Sequence, residues 1–227
     1  MKGRAQGKHH VYSCLAELLQ QNWSRLRRVD VRIGPEALYH SSLWKTFLFP
    51  APQLVSFKVV FQGTRPRIFS SQDGFLFAGN APSLREIGTK NMTFSIQAPW
   101  AAQLRQLQLE SADFKAYETL EVIKQMPLLE YLSLSHIAGP PPVPLPAEES
   151  INIPRLTHLH LTNKLNIALP FVHAIKSSNH CTLIWASPAI DFGIPAQEAI
   201  YAIRRVLIRY SNGFFSSQST PGALRLI

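Results

Sequence analysis

Residues 127–134 read PLLEYLSL and residues 154–161 read PRLTHLHL. Both follow one plan: a proline, one residue, then L-x-x-L-x-L. In a strand the last two leucines, two residues apart, point the same way, while the residue between them points the other way. The first leucine enters the core from the preceding turn. A single such phrase carries little information, because leucine is common; its recurrence decides the fold.

Working outward, the phrase returns with conservative swaps as Leu26, Val29 and Val31; Pro52, Leu54, Phe57 and Val59; Pro82, Leu84, Ile87 and Thr89; and Leu104, Leu107 and Leu109. A degenerate seventh copy is expected at Leu183 and Trp185. Between the first apolar positions of the six main copies the steps are 28, 30, 20, 25 and 27 residues, close to the range of roughly 20–29 of leucine-rich repeats. The expected fold is therefore α/β: a leucine-rich-repeat solenoid with a curved parallel sheet on the concave face and helices and irregular turns on the convex face. Ala116 to Met126, with Pro127 as stop, and Asn166 to Ser178, starting near Pro170, have the apolar spacing of covering helices. Leu38 to Phe49 is a third candidate. The step of 20 residues leaves room only for an extended or 3₁₀ connection. Lys164 and Met92 stand where many leucine-rich repeats carry asparagine after the strand, so an asparagine ladder is not expected.

The organisation expected is a basic segment over 1–25, a solenoid over 26–187 with a proline-rich loop at 139–150, and a C-terminal part over 188–227. In that last part Ile194 to Tyr210 has Ile200, Ile203, Val206 and Leu207 at helical spacing, and residues 223–227 resemble the start of another strand. His9 and His10 read as part of a loose tail. With little before Leu26 to cap a stack, a fragment or truncated gene model of a longer protein is expected. Pro141 and Pro144 form a P-x-x-P without Arg or Lys in the loop, which reads as a spacer.

The 227 residues carry 23 Lys and Arg against 14 Asp and Glu, a formal net charge of +9, and 46% are hydrophobic. That composition folds rather than staying disordered. Two cysteines, Cys14 and Cys181, make neither a disulfide framework nor a four-ligand zinc site and read as core fillers. No run of about 18 apolar residues suggests a membrane span, and Glu17 interrupts the short apolar stretch after the basic N-terminus, so a soluble intracellular chain, cytoplasmic or nuclear, is expected.

The sequence resembles the leucine-rich-repeat region of fungal F-box-type proteins. The resemblance rests on APQLVSFKV (51–59), APSLREI (81–87), MPLLEYLSL (126–134), GPPPVPLP (139–146) and IPRLTHLHL (153–161), and spans Val11 to Ser187. It implies a non-enzymatic protein–protein interaction module, the substrate-recognition half of a cullin-based ubiquitin ligase. In that family an F-box ahead of the repeats binds a Skp-type adaptor. Here 25 residues precede Leu26 and contain no Leu-Pro phrase, so adaptor binding would need an F-box missing from this chain.

The residues between and beside the core positions define the expected docking face for a protein partner: Arg28, Asp30, Arg32, Lys58, Glu86, Lys90, Gln106, Gln108, Tyr131, Ser133, His158 and His160. Ser56, Val60, Gly88, Glu110, Ser135 and Thr162 share it. Mixed charge with amides and a tyrosine suits a polypeptide better than a small apolar ligand. Tyr131 is the expected anchor, since tyrosine offers large contact area at low entropy cost. His158-x-His160 has chelating spacing but no third ligand nearby in sequence, so no metal and no cofactor are assigned. No G-x-S-x-G, P-loop, H-E-x-x-H or G-x-G-x-x-G motif is present, and Asp191-Phe192-Gly193 lacks every other kinase element. The arginines at 25, 27, 28 and 32 and at 204, 205 and 209 open a second class, a basic nucleic-acid-associated repeat protein, though no RRM, KH or helix-turn-helix pattern accompanies them. A non-functional truncated product is the third reading.

Overall fold

The computed structural model describes residues 3–35, 45–62, 75–92, 94–111, 114–139, 150–177, 181–186, 197, 200–201, 203–206, 208 and 224–226, with 3–12, 177 and 224–226 described by backbone alone. The chain is α/β and divides into two compact units, Met1–Ala101 and Ala102–Ile227.

The first unit opens with helix α1 (Gly3–Asn22) and a 3₁₀ turn (Trp23–Arg25). Three strands follow: β1 (Arg28–Ile33), β2 (Ser56–Phe61) and β3 (Glu86–Lys90). β2 lies between the other two in parallel, so Val29, Phe57 and Ile87 occupy one row. All three are buried. Behind them sits an aromatic cluster. Phe57 meets Phe47 and Phe77 edge-on, each at 5.1 Å between centroids. Trp23 and Trp100 flank Phe77 at 6.2 and 6.0 Å. Both indoles keep a polar partner, donating to the carbonyls of Phe49 and Leu76, as buried Trp requires. Phe77 adopts φ 60° and Ala78 φ 49°, a left-handed conformation costly for a bulky side chain. Burial of Phe77 among three rings, and its N–H donating to the Phe47 carbonyl at 2.8 Å, offset that cost.

The second unit stacks β4 (Gln106–Glu110), β5 (Tyr131–Ser135), β7 (His158–Thr162), β9 (Thr182–Ala186) and β10 (Leu224–Leu226). Every pairing among these five is parallel. Leu107, Leu132, Leu159 and Leu183 form one buried row; Leu109, Leu134, Leu161 and Trp185 form the next. Each fully buried leucine contributes about 1.5–3 kcal/mol. Helices α2 (Ala116–Ile123) and α3 (Leu165–Ala174) cover the core with Leu120 and Ile123, and with Leu165, Ala168, Phe171 and Val172. A separate two-stranded parallel ladder joins β6 (Ile151–Ile153) to β8 (Ile175–Ser177).

The proline of the phrase has a definite task. Leu54 N–H donates to the Ala51 carbonyl, Leu84 to Ala81, Leu129 to Met126 and Leu156 to Ile153, at 3.1–3.2 Å. Each is a four-residue turn with a buried first residue, an exposed proline second and the core leucine fourth. Proline presets the φ that the second position needs. After each of these turns the chain is tied to the preceding strand: one carbonyl accepts two N–H groups. The Arg27 carbonyl takes those of Val55 and Ser56, Arg105 those of Glu130 and Tyr131, and Glu130 those of Thr157 and His158.

Several expectations require correction. The N-terminal segment is a helix that includes His9 and His10, not a loose tail. Ala16, Leu19 and Trp23 are buried, so chain ahead of Leu26 does cover core. Cys14 is exposed, whereas Cys181 is buried as expected. α2 ends at Ile123, ahead of Pro127, which belongs to the next turn. α3 begins at Leu165 and carries Pro170 inside it; burial of its apolar face outweighs the one backbone bond proline cannot make. The residues after it form β8 rather than further helix. In the C-terminal helical residues Val206 is buried, but Ile200 is 67% exposed and so lies off the core-facing side. The 20-residue step holds the 3₁₀ segment Pro99–Gln103, as expected. The loop at 139–150 and the helix candidate at 38–49 fall largely outside the described residues, as do Pro141, Pro144 and the Asp191-Phe192-Gly193 segment.

Candidate functional site

Because inward residues alternate with outward ones, each parallel ladder presents its outward side chains in rows. In the first unit the rows are Arg28, Ser56 and Glu86; Asp30, Lys58 and Gly88; Arg32, Val60 and Lys90. Arg28, Asp30 and Arg32 are exposed, and Lys58, Glu86 and Lys90 are half-buried. Ser56 and Gly88, expected on this face, are buried. Ser56 Oγ donates to Glu86 Oε2 at 2.9 Å, and the same oxygen lies 3.7 Å from Lys58 Nζ. The Glu86 carboxylate thus closes over Ser56 and orients Lys58.

In the second unit the rows are Gln106, Tyr131, His158 and Thr182; Gln108, Ser133, His160 and Ile184; and Glu110, Ser135, Thr162 and Ala186. Tyr131 and His158 are ring neighbours, 5.8 Å between centroids and tilted by 34°. His158 is exposed and Tyr131 half-buried. Thr157 holds the imidazole: its hydroxyl donates to the Glu130 carbonyl at 2.9 Å and lies 2.9 Å from His158 Nδ1. One hydroxyl has one proton, so with that proton on the Glu130 carbonyl a bond between the Thr157 oxygen and the imidazole takes its proton from Nδ1–H. Glu130 is anchored in turn by Arg105 at 3.2 Å. His160 is spanned by Ser133 at 3.5 Å and Thr162 at 3.3 Å. The structure therefore brings Gln106, Gln108, Tyr131, Ser133, His158 and His160 onto one face of the second unit, and Arg28, Asp30, Arg32, Lys58, Glu86 and Lys90 onto one face of the first. Among the described residues no group of three or more His, Cys, Asp or Glu is placed to hold a metal ion. Among them also, no helix is long and apolar enough to cross a membrane.

Sequence reasoning missed Thr157, Arg105 and Glu130, the supports of the His158 ring. It also missed the asparagines that close two strand ends, by looking one residue too far along. Asn163, 2% exposed, accepts from the Ile137 N–H at 2.8 Å and donates to the Leu134 carbonyl at 3.1 Å. Asn91, at the corresponding position after β3, donates to the Phe61 carbonyl at 3.1 Å with φ 53°. The signal was present: each follows the first inward strand residue, Leu159 or Ile87, by four positions.

Comparison with models of known protein families, with curated proteins and with solved structures finds no match for this chain.

Proposed function

We propose that the chain is a leucine-rich-repeat solenoid that works as a non-enzymatic protein–protein interaction module, similar to the substrate-recognition repeats of an F-box subunit of a ubiquitin ligase. What supports the repeat reading is the recurrence of the same turn, the same two-N–H carbonyl acceptor and the same in-register core rows. The single observation that carries the docking reading is the row Gln106, Tyr131, His158. It places an aromatic pair with amide and imidazole hydrogen-bonding groups beside it, held by backbone-anchored Thr157. Aromatic anchors ringed by polar groups are the composition of protein interface centres.

The test compares proteins captured by the immobilised chain and by its Tyr131→Ala variant, identified by mass spectrometry, together with binding of purified Skp-type adaptor. A docking face predicts a defined partner whose affinity falls by about 1–2 kcal/mol in the variant, with the fold unchanged by circular dichroism. Equal capture by both proteins removes this face from the interface. Adaptor binding by this chain would extend the proposal to the ligase itself.

The basic alternative has its own observation: Arg25, Arg27, Arg28 and Arg32 are all exposed in the first unit. Binding to a labelled oligonucleotide that falls steeply with salt is the result that favours it over protein docking.

A further inference from the structure

β1 bonds to β2 through one edge only, and among the described residues no strand pairs with its other edge. Which backbone groups face that edge follows from the ladder. The Arg27 carbonyl accepts from Val55 and Ser56, and the Ile33 carbonyl accepts from Gln62. Residues of a strand alternate in the side to which they turn N–H and C=O. Val29 and Val31 therefore face β2 as well, while Arg28, Asp30 and Arg32 turn their backbone groups to the open edge. The side chains of these same three residues are exposed, whereas Val29 and Ile33 are buried. The edge thus carries a plus-minus-plus pattern beside a set of backbone donors and acceptors, with Arg25 and Arg27 adding exposed positive charge at its start.

We infer that the open edge of β1 is a strand-addition site for an extended acidic peptide, one with carboxylates two residues on either side of a neutral or basic residue. Such a peptide sets its carboxylates against Arg28 and Arg32 and its central residue against Asp30, while its backbone continues the sheet. The pattern is symmetric about Asp30, so it accepts either strand direction. A second copy of this chain is the poorer match. Antiparallel pairing of two β1 edges about Asp30 sets Asp30 against Asp30 and Arg28 against Arg32, like charge on like charge throughout. That repulsion disfavours the symmetric register, and a register shifted by two residues matches Asp30 with only one of the two arginines, so an acidic peptide that meets both Arg28 and Arg32 is the better match. The site belongs to the first unit and stands on the β1–β2 register together with the charge and exposure of Arg28, Asp30 and Arg32.

The experiment uses fluorescence anisotropy on the full chain with a capped, labelled peptide of core Glu-Val-Lys-Val-Glu. Three controls accompany it: the peptide with each Glu replaced by Lys, and two peptides N-methylated on one or the other alternate set of core amides. Binding is expected for the acidic peptide. N-methylation of one alternate set, but not the other, is expected to abolish it. Arg28→Glu with Arg32→Glu, both at exposed positions, is expected to weaken it by about tenfold or more and to favour the Lys-substituted peptide instead. Absence of binding overturns the inference, as does binding insensitive to both methylation patterns, which is charge adhesion without strand pairing. Tighter binding of a labelled single-stranded oligonucleotide than of the peptide assigns the arginines to nucleic acid and also overturns it. So does concentration-dependent dimerisation lost in the double variant, which would make a second copy the occupant.

Discussion

Asn163→Ala removes a side chain that satisfies two backbone groups at once. Asn163 is 2% exposed, and its amide bridges the Ile137 N–H and the Leu134 carbonyl at 2.8 and 3.1 Å. Alanine at this buried position supplies neither partner. The Ile137 N–H is left without its partner, while the β5–β7 register keeps the Thr162 N–H on the Leu134 carbonyl, so the variant should lose about 1–3 kcal/mol. Against the roughly 5–15 kcal/mol that holds a typical domain together, that is a large share. Asn91→Ala gives the internal comparison. It loses one bond from a half-buried side chain and places alanine at φ 53°, for a combined cost of about 1–2 kcal/mol. Urea unfolding followed by circular dichroism measures both, and hydrogen exchange at the Ile137 amide reads the local bond directly. An Asn163→Ala variant within about 0.5 kcal/mol of the parent, or one whose Ile137 amide stays protected, refutes the bridging role.

Three further substitutions probe the packing. Ala78 is exposed with φ 49°, so Ala78→Gly relieves left-handed strain and should raise stability by about 0.5–1 kcal/mol in the same urea titration. The Thr89 hydroxyl is buried without a partner among the described residues. Thr89→Val keeps the shape, drops the unsatisfied oxygen and should leave stability unchanged or raise it by about 1 kcal/mol; a clear loss would reveal a hidden acceptor or donor. Leu159 is fully buried between Leu132 and Leu183, and Leu159→Asp, which puts a carboxylate into that row, should abolish the cooperative transition of the second unit.

The strands were legible because two independent signals coincide in them. Period-2 leucines specify an inward row, and in four of the seven phrases a proline turn fixes where the strand starts. Thus all seven phrases, down to the degenerate Leu183 and Trp185, fall on strands. What escaped was what tertiary packing decides. The helix at Gly3–Asn22 has no acidic residue in its first turn and no basic residue in its last, so neither end is marked in the sequence. Pro170 resembled a helix start because propensity cannot weigh the burial of Ala168 before it and Phe171 after it. Ser56 lies in an outward row yet is buried, its hydroxyl bonded to Glu86 thirty positions away, which alternation does not reveal. The outward rows of the second unit were readable from alternation alone. The bond from His158 to Thr157 was not, since nothing in the phrase marks the residue before the strand as a support.

The central claim is that a protein partner docks on the face carrying Tyr131. A photo-reactive benzoylphenylalanine placed at residue 131 tests it most directly, with a second placed at Tyr117, which is 47% exposed on α2. The account predicts one discrete cross-linked protein from position 131 and none of that species from position 117. The same partner captured equally from both positions, or from position 117 alone, contradicts it.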